Sequence, residues 1–161
     1  MSNLEKIPVT ILTGFLGAGK TTLIRNLIIK NKSKRLAVII NEFGDLGVDG
    51  EIVKQCSDET CPEENILELA NGCICCTVAD DFVPTMQKLI NGKYLPEHIL
   101  IETSGLALPK PLLKAFEWPE IRSKLTVDSV LAVVDAEAVV NGIFAPQMSR
   151  ETEKKQKETY V

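Results

Sequence analysis

Short apolar runs alternate along the chain with segments whose apolar residues recur at helical spacing. The apolar runs are rich in Val, Ile and Leu, as buried parallel strands are. They predict strands over residues 7–12, 36–40, 66–69, 99–102 and 127–135. The other segments predict helices over residues 22–29, 80–90, 109–116 and 136–140. Strands that alternate with helices predict an α/β fold, here a three-layer domain with a mostly parallel sheet.

A phosphate-binding motif lies between the first predicted strand and the first predicted helix. The segment GFLGAGKT fits the pattern G-x-x-x-x-G-K-T of the P-loop. Gly14, Gly17 and Gly19 permit backbone angles that a side chain would forbid, so successive N–H groups can point at one anion. We expect Lys20 to reach the β- and γ-phosphates and the Thr21 hydroxyl to hold Mg²⁺. The flanking strand and helix favour this interpretation over a glycine-rich turn that binds nothing.

Acidic residues follow two of the predicted strands. Glu42 and Asp45 lie in a glycine-rich segment after the second strand, on the side where a parallel sheet beside a P-loop binds its ligand. Carboxylates near phosphate require a cation between them; a solvated acidic turn is the alternative. A later apolar strand ends in Glu102, which matches the Walker B carboxylate that contacts Mg²⁺, and Gly105 could offer its N–H to the γ-phosphate. The alternative is a strand that ends in a surface glutamate.

A cluster of three cysteines forms the second chemical centre. Cys73, Cys75 and Cys76 form a C-x-C-C pattern just before a predicted helix. A loop at a helix start can turn two or three thiols towards one point, and the helix N-terminus favours the thiolate form that binds metals. Thiolates select soft or borderline ions such as Zn(II), Co(II) or Cu(I). A redox pair and inert buried cysteines are the alternatives.

The remaining cysteines and the single histidine carry weaker signals. Cys56 and Cys61 lie five residues apart in a polar insertion, which is not a known zinc spacing and favours loop thiols over a metal site. His98 lies at the start of a predicted strand, where a structural role is favoured over metal ligation.

Size and charge restrict the class of protein. The 161 residues suffice for about one domain with a buried core. The 18 basic and 22 acidic residues give a formal net charge of −4 without a basic tract, so we expect no nucleic-acid partner. Apolar runs stay far below the roughly 18 residues that span a membrane, and the N-terminus lacks the apolar core of a signal peptide. We therefore expect a cytoplasmic protein whose five cysteines are metal ligands or free thiols.

The composition changes after residue 146. Residues 1–146 predict one domain, whereas residues 147–161 are charged and nearly free of apolar anchors. The second segment predicts a disordered, solvated tail.

Four segments occur in the order and at the spacing found in the CobW family of metal-handling P-loop GTPases: GFLGAGKTT, NEFGDLGVDG, GCICC and ETSGLALP. The chain resembles this family over residues 7–146, and residues 58–85 resemble its cobalamin-biosynthesis branch. The resemblance implies metal-site thiolates from the cysteine cluster, with Glu42 and Asp45 in the acidic switch loop and Glu102 as the Walker B acid. It also implies a nucleotide site formed by Gly14, Gly17, Ala18, Gly19, Lys20, Thr21, Thr22 and Gly105.

The function implied by this resemblance is that of a GTP-dependent metallochaperone with weak GTP hydrolysis. It would bind Co(II), or Zn(II), tightly with Mg²⁺ and GTP and release the ion after hydrolysis. Its partners would be a cobalt chelatase in corrin biosynthesis or a complementing C-terminal half. Two alternatives remain: a metal-binding module or Zn(II) chaperone without turnover, and a P-loop ATPase or kinase with structural cysteines.

One family motif is expected beyond this sequence. The family reads guanine through an N-K-x-D motif on a later strand, and we expect the domain to be truncated before that strand. The segment 31–34 reads N-K-S-K, which follows the first helix and has lysine where aspartate is needed.

Overall fold

The computed structural model of the protein describes residues 6–31, 33–41, 53–55, 57, 59–69, 82–103 and 109–142. These residues form one five-stranded sheet with helices on both of its faces. The strands are β1 (Ile7–Thr13), β2 (Leu36–Asn41), β3 (Ile66–Leu69), β4 (His98–Glu102) and β5 (Leu125–Ala132). The helices are α1 (Lys20–Lys30), α2 (Val83–Ile90), α3 (Pro109–Ala115), α4 (Pro119–Arg122) and α5 (Ala136–Val140), with a 3₁₀ turn at Glu63–Asn65.

All strand pairs in this sheet are parallel, and the strand order is β3-β2-β4-β1-β5. The predicted α/β fold is therefore confirmed. Because the strands are parallel, their carboxyl ends meet at one edge of the sheet, and the P-loop leaves β1 at that edge. The central position of β1 and β4 places the ends of these two strands side by side.

The core lies on both faces of the sheet. Successive residues of β2 point to opposite faces, so that Ile39 belongs to one buried cluster and Val38 to the other. Three helices contribute buried side chains to the first cluster: Met86, Leu89, Leu112, Ala115 and Ile121. Helix α1 contributes Ile24 and Ile28 to the second. These layers agree with the three-layer prediction, and no helix of the described segments is long and apolar enough to cross a membrane.

The last strand differs in its bounds from the sequence prediction of residues 127–135. It spans Leu125–Ala132, because its first residue already pairs with Ile7 of β1. Asp135 lies outside the strand and caps α5, where its Oδ1 accepts two backbone N–H groups at 2.9 and 3.1 Å. Aspartate is a preferred helix cap. The strand itself ends at Ala132 because its partner β1 ends at Thr13, where the chain turns into the phosphate-binding loop.

A polar contact joins three strands within the sheet. The Thr10 hydroxyl of β1 lies 2.9 Å from His98 Nε2 of β4 and 2.9 Å from the Ser129 hydroxyl of β5. Burial lowers the pKa of His98; the positive charge of Lys34 lowers it further, and the negative charge of Asp128 opposes this change. Burial therefore favours the neutral imidazole, which can share hydrogen bonds with hydroxyl groups.

Strand β5 forms one edge of the sheet in the described part of the chain. Among the described residues, this strand and the segment that follows it carry a group of exposed apolar side chains: Val130, Leu131, Val134, Val139 and Val140. We refer to these five side chains as the β5 apolar patch. Val134 and Val140 are the most exposed of them, at 61% and 85%.

Candidate nucleotide-binding site

The loop between β1 and α1 has the backbone conformation that its glycines predict. Gly14, Gly17 and Gly19 have φ angles of 136°, 81° and 93°, in a region that residues with side chains rarely adopt. Gly14 also lies against the backbone that follows β5, where a Cβ atom would be 2.1 Å from the Val133 carbonyl oxygen. Two independent constraints therefore require glycine at position 14.

Lys20 is the first residue of α1 and is buried at the base of this loop. Its Nζ donates hydrogen bonds to the carbonyl oxygens of Gly14 at 3.0 Å and Phe15 at 3.1 Å. The ammonium group is thus held inside the curve of the loop by uncharged acceptors. A phosphate placed there would gain a full positive charge at short range.

The N-terminus of α1 is open towards an anion. Its N-cap is Gly19, which makes no side-chain cap, and the first turn contains no acidic residue. The first N–H groups of a helix lack partners within the helix, and the helix dipole adds positive potential there. Ala18 lies in the loop before this end, and Thr22 is exposed in the first turn. This part of the loop and helix can therefore bind phosphate.

Glu102 ends β4, and its carboxylate lies against the start of α1. The Thr21 hydroxyl donates to its Oε1 at 3.0 Å and lies 3.2 Å from its Oε2. Glu102 is only 6% exposed. A hydroxyl and a carboxylate are the hard oxygen ligands that Mg²⁺ prefers, and they adjoin the phosphate-binding loop. The two residues therefore fit an Mg²⁺ ion that would accompany a bound nucleotide.

The other candidate residues lie outside the described residues. They are Glu42, Asp45, Cys73, Cys75, Cys76 and Gly105, together with Cys56. Their placement stays a prediction from the strands that precede them. Strand β2 ends one residue before Glu42, and β3 ends four residues before Cys73, at the same edge of the sheet as the P-loop.

Cys61 is buried in the core cluster beside α1. Cys61 lies in a segment between β2 and β3 that packs onto β2, where the Leu36 N–H donates to the Thr60 carbonyl at 2.7 Å. Within the described segments, no three His, Cys, Asp or Glu side chains are gathered for a metal ion.

Two residues at the site were missed by the sequence analysis. Thr103 is fully buried after β4, and its N–H and hydroxyl both donate to the Leu12 carbonyl, at 2.9 and 3.0 Å. Val133 donates its N–H to the Thr13 carbonyl at 2.8 Å and covers Gly14. A polar β-branched residue directly after the Walker B acid was the one available signal for Thr103. The partners of both residues depend on the strand order, which the sequence did not give.

The fold and the geometry of the loop define a P-loop nucleotide-binding domain of the α/β class. The model of the family "CobW/HypB/UreG, nucleotide-binding domain" matches residues 8–160, and the chain belongs to this family. The predicted family resemblance is therefore confirmed.

Curated relatives cover most of the chain. The chain is 63% identical over 144 residues to a protein of Sinorhizobium sp. named zinc chaperone CobW, covering 89% of this chain and 41% of the relative. A zinc chaperone CobW of Pseudomonas aeruginosa is 58% identical over 90% of this chain and 40% of its own. A zinc-regulated GTPase metalloprotein activator 1 of Schizosaccharomyces pombe is 40% identical over 87% of this chain and 34% of its own. The chain thus spans about two fifths of the first two relatives.

A solved structure supports the fold assignment. It is the crystal structure of a Zn(II)-bound triple mutant of the YjiA GTPase, in which one glutamate and two cysteines are replaced by alanine. The match has a TM-score of 0.57 and 28% sequence identity, and it covers 85% of this chain and 43% of that chain.

Proposed function

We propose that this chain is the nucleotide-binding part of a GTP-dependent metallochaperone. The observation that carries the proposal is the contact between Thr21 and Glu102 beside the loop that holds Lys20. This contact combines a phosphate-binding loop with oxygen ligands for Mg²⁺, which are the parts needed to bind and hydrolyse a nucleoside triphosphate. The family membership and the GTPase names of relatives favour GTP as the nucleotide.

Hydrolysis would transfer the γ-phosphoryl group to water. Lys20 and the backbone N–H groups of the loop would stabilise negative charge that develops on the phosphate oxygens. Thr21 and Glu102 would hold Mg²⁺, which supplies further charge neutralisation when it is bound. Glu42, Asp45 or Glu102 would orient the attacking water.

The cargo would be a divalent transition metal bound by thiolates of Cys73, Cys75 and Cys76. Two curated relatives are named zinc chaperones, which makes Zn(II) the first cargo to test. Co(II) for corrin biosynthesis is the more specific expectation from the sequence. Thiolate ligands accept either ion, so the cluster by itself does not select between them.

Sheet topology supports a coupling between nucleotide and cargo. Strand β3, which precedes the cysteine cluster, lies three strand spacings from β1, or about 14 Å at the usual spacing. Strand β2, which precedes Glu42, lies between them. A γ-phosphate bound at the P-loop could therefore bias the switch loop and the cysteine loop together.

The proposal also includes a location and a partner. We expect a cytoplasmic protein, because cysteine thiolates stay reduced there. Its partner would accept the metal, as a cobalt chelatase would, or would complete the domain, as a complementing C-terminal half would.

The decisive experiment is a metal titration at defined nucleotide occupancy. We expect Zn(II) or Co(II) to bind at least about tenfold more tightly with Mg²⁺ and a non-hydrolysable GTP analogue than without nucleotide, the usual size of an allosteric coupling. Because the guanine-reading motif is expected beyond this sequence, the matching ATP analogue is titrated in parallel to measure how far this part of the domain selects guanine. The Co(II) form should show thiolate charge-transfer absorption, and the metal that gains more from the nucleotide is the cargo.

Two variants control this titration. The triple variant Cys73→Ser, Cys75→Ser, Cys76→Ser should lose the nucleotide-dependent gain and the charge-transfer bands. Lys20→Ala should lose the gain but keep the metal affinity measured without nucleotide. Zinc that remains bound to the triple variant would not by itself contradict the proposal, because the YjiA variant holds Zn(II) with two cysteines removed. A metal affinity that nucleotide does not change would contradict the proposal.

A further inference from the structure

Thr103 makes two hydrogen bonds to one carbonyl group at the end of β4. Its backbone N–H and its Oγ1 both donate to the Leu12 carbonyl oxygen, at 2.9 and 3.0 Å. Leu12 is paired with Glu102 in the β1–β4 ladder, so Thr103 closes this ladder beyond its last pair. Two residues after Leu12, the chain enters the P-loop at Gly14.

The presence of a hydroxyl group at the buried position 103, rather than a methyl group, requires a physical reason. The residue is 0% exposed, and valine would fill nearly the same volume without a polar atom to satisfy. A carbonyl oxygen has two lone pairs, so Leu12 can accept both donors without competition. Glu102 is paired with β1 on one side and with β2 on the other, and the Thr103 hydroxyl adds a further bond that restricts movement of the strand end against β1.

We propose that Thr103 is a positioning residue for the nucleotide-bound Mg²⁺. Its hydroxyl fixes the end of β4 against the end of β1 and thereby keeps the Glu102 carboxylate at the Thr21 hydroxyl, 3.0 Å away. The inference rests on the proposed function only in requiring that this site binds a nucleotide with Mg²⁺. It does not depend on the cargo metal or on the cysteines.

The test measures how much Mg²⁺ is needed for tight nucleotide binding by the full chain. A fluorescent non-hydrolysable GTP analogue is titrated at a series of Mg²⁺ concentrations and also in EDTA. Thr103→Val should raise the Mg²⁺ midpoint by about tenfold, the usual effect of removing a residue that orients a metal ligand. Affinity in EDTA should not change, because Lys20 and the loop bind the phosphates without Thr103.

A graded series keeps the test independent of any single variant. Thr103→Ser retains the hydroxyl and should restore the wild-type midpoint. Thr103→Cys offers a weaker donor of similar size and should lie between serine and valine. This order follows the strength of the donor at position 103.

Thr10→Val is the matched control. Thr10 is also a buried hydroxyl at the β1–β4 boundary, but its partners are His98 and Ser129 rather than a residue beside the site. We expect Thr10→Val to lower the thermal midpoint about as much as Thr103→Val and to leave the Mg²⁺ midpoint at the wild-type value.

Each outcome decides the inference. The Thr103 variants could lose as much thermal stability as Thr10→Val while their Mg²⁺ midpoint stays at the wild-type value. That result would make Thr103 purely structural and overturn the inference. Wild-type binding without Mg²⁺ dependence, or no nucleotide binding, would overturn it as well. Mg²⁺-dependent binding that leaves the cargo affinity unchanged would contradict the metallochaperone proposal alone.

Discussion

At the scale of single residues, the phosphate-binding loop depends on glycines at which a side chain would strain the backbone or overlap neighbouring atoms. Gly14 combines a φ of 136° with close backbone contact to Val133, whereas Gly17 has a φ of 81° and open space around its Cα. The two glycines therefore separate two effects that usually occur together, backbone strain and steric overlap.

Gly14→Ala should destabilise the protein more than Gly17→Ala. The second variant carries only the backbone strain, about 1–2 kcal/mol. The first adds an overlap with a backbone carbonyl that cannot rotate away, so we expect at least about 3 kcal/mol. Urea denaturation of the two variants and the wild type measures both losses. Equal losses would show that the Val133 contact yields easily.

At the scale of elements, the burial of His98 at the start of β4 makes stability depend on pH. Folding lowers the pKa of His98 below its usual value, so the unfolded chain binds more protons just below that value. The stability that this group contributes is complete above about pH 6.5 and is lost as the pH falls towards the folded pKa.

His98→Gln should remove part of this acid sensitivity. Glutamine can place a donor and acceptor near the position of His98 Nε2, 2.9 Å from the Thr10 hydroxyl, without titrating. Urea denaturation at pH 7.5 and pH 5.5 should show a smaller difference for the variant than for the wild type. Lys34→Gln should also reduce the difference, because the Lys34 charge lowers the pKa of His98. An identical acid loss in the wild type and His98→Gln would exclude His98 as its source.

Helices, strands and local motifs could be predicted from the sequence better than the hydrogen bonds between them. The P-loop and the Glu102 strand end were found because each is a continuous pattern, and the rule for carboxyl ends of parallel strands places them at one edge. The bonds from Thr103 to Leu12 and from Val133 to Thr13 join segments far apart in the chain. They follow from the strand order, which apolar runs of similar composition do not specify. The end of β5 was mispredicted because the ladder stops where its partner β1 ends at Thr13, which the apolar pattern of β5 alone does not reveal.

At the scale of the whole molecule, the described surface is uneven. The β5 apolar patch lies at a sheet edge, whereas the opposite edge strand, β3, begins with the buried residue Ile66. Exposed strand edges with apolar side chains promote association between molecules.

Charged residues in the patch should reduce self-association. We expect the double variant Val134→Lys, Val140→Lys to raise the concentration at which light scattering detects association, because these are the two most exposed side chains of the patch. Nucleotide affinity should stay within about twofold, as expected for exposed substitutions. Ile29→Lys, at a 47% exposed position on α1, is the control for added charge and should have a smaller effect. An equal effect of both variants would exclude a specific role of the patch.

The hydrogen bonds of Lys20 have a consequence for the speed of nucleotide binding. The ammonium already sits on two carbonyl groups of its own loop, so the loop keeps its curved shape before any anion arrives. Much of the conformational entropy that is lost when the loop becomes ordered is therefore lost before the nucleotide binds. Diffusional encounter, rather than loop rearrangement, would then limit the association rate.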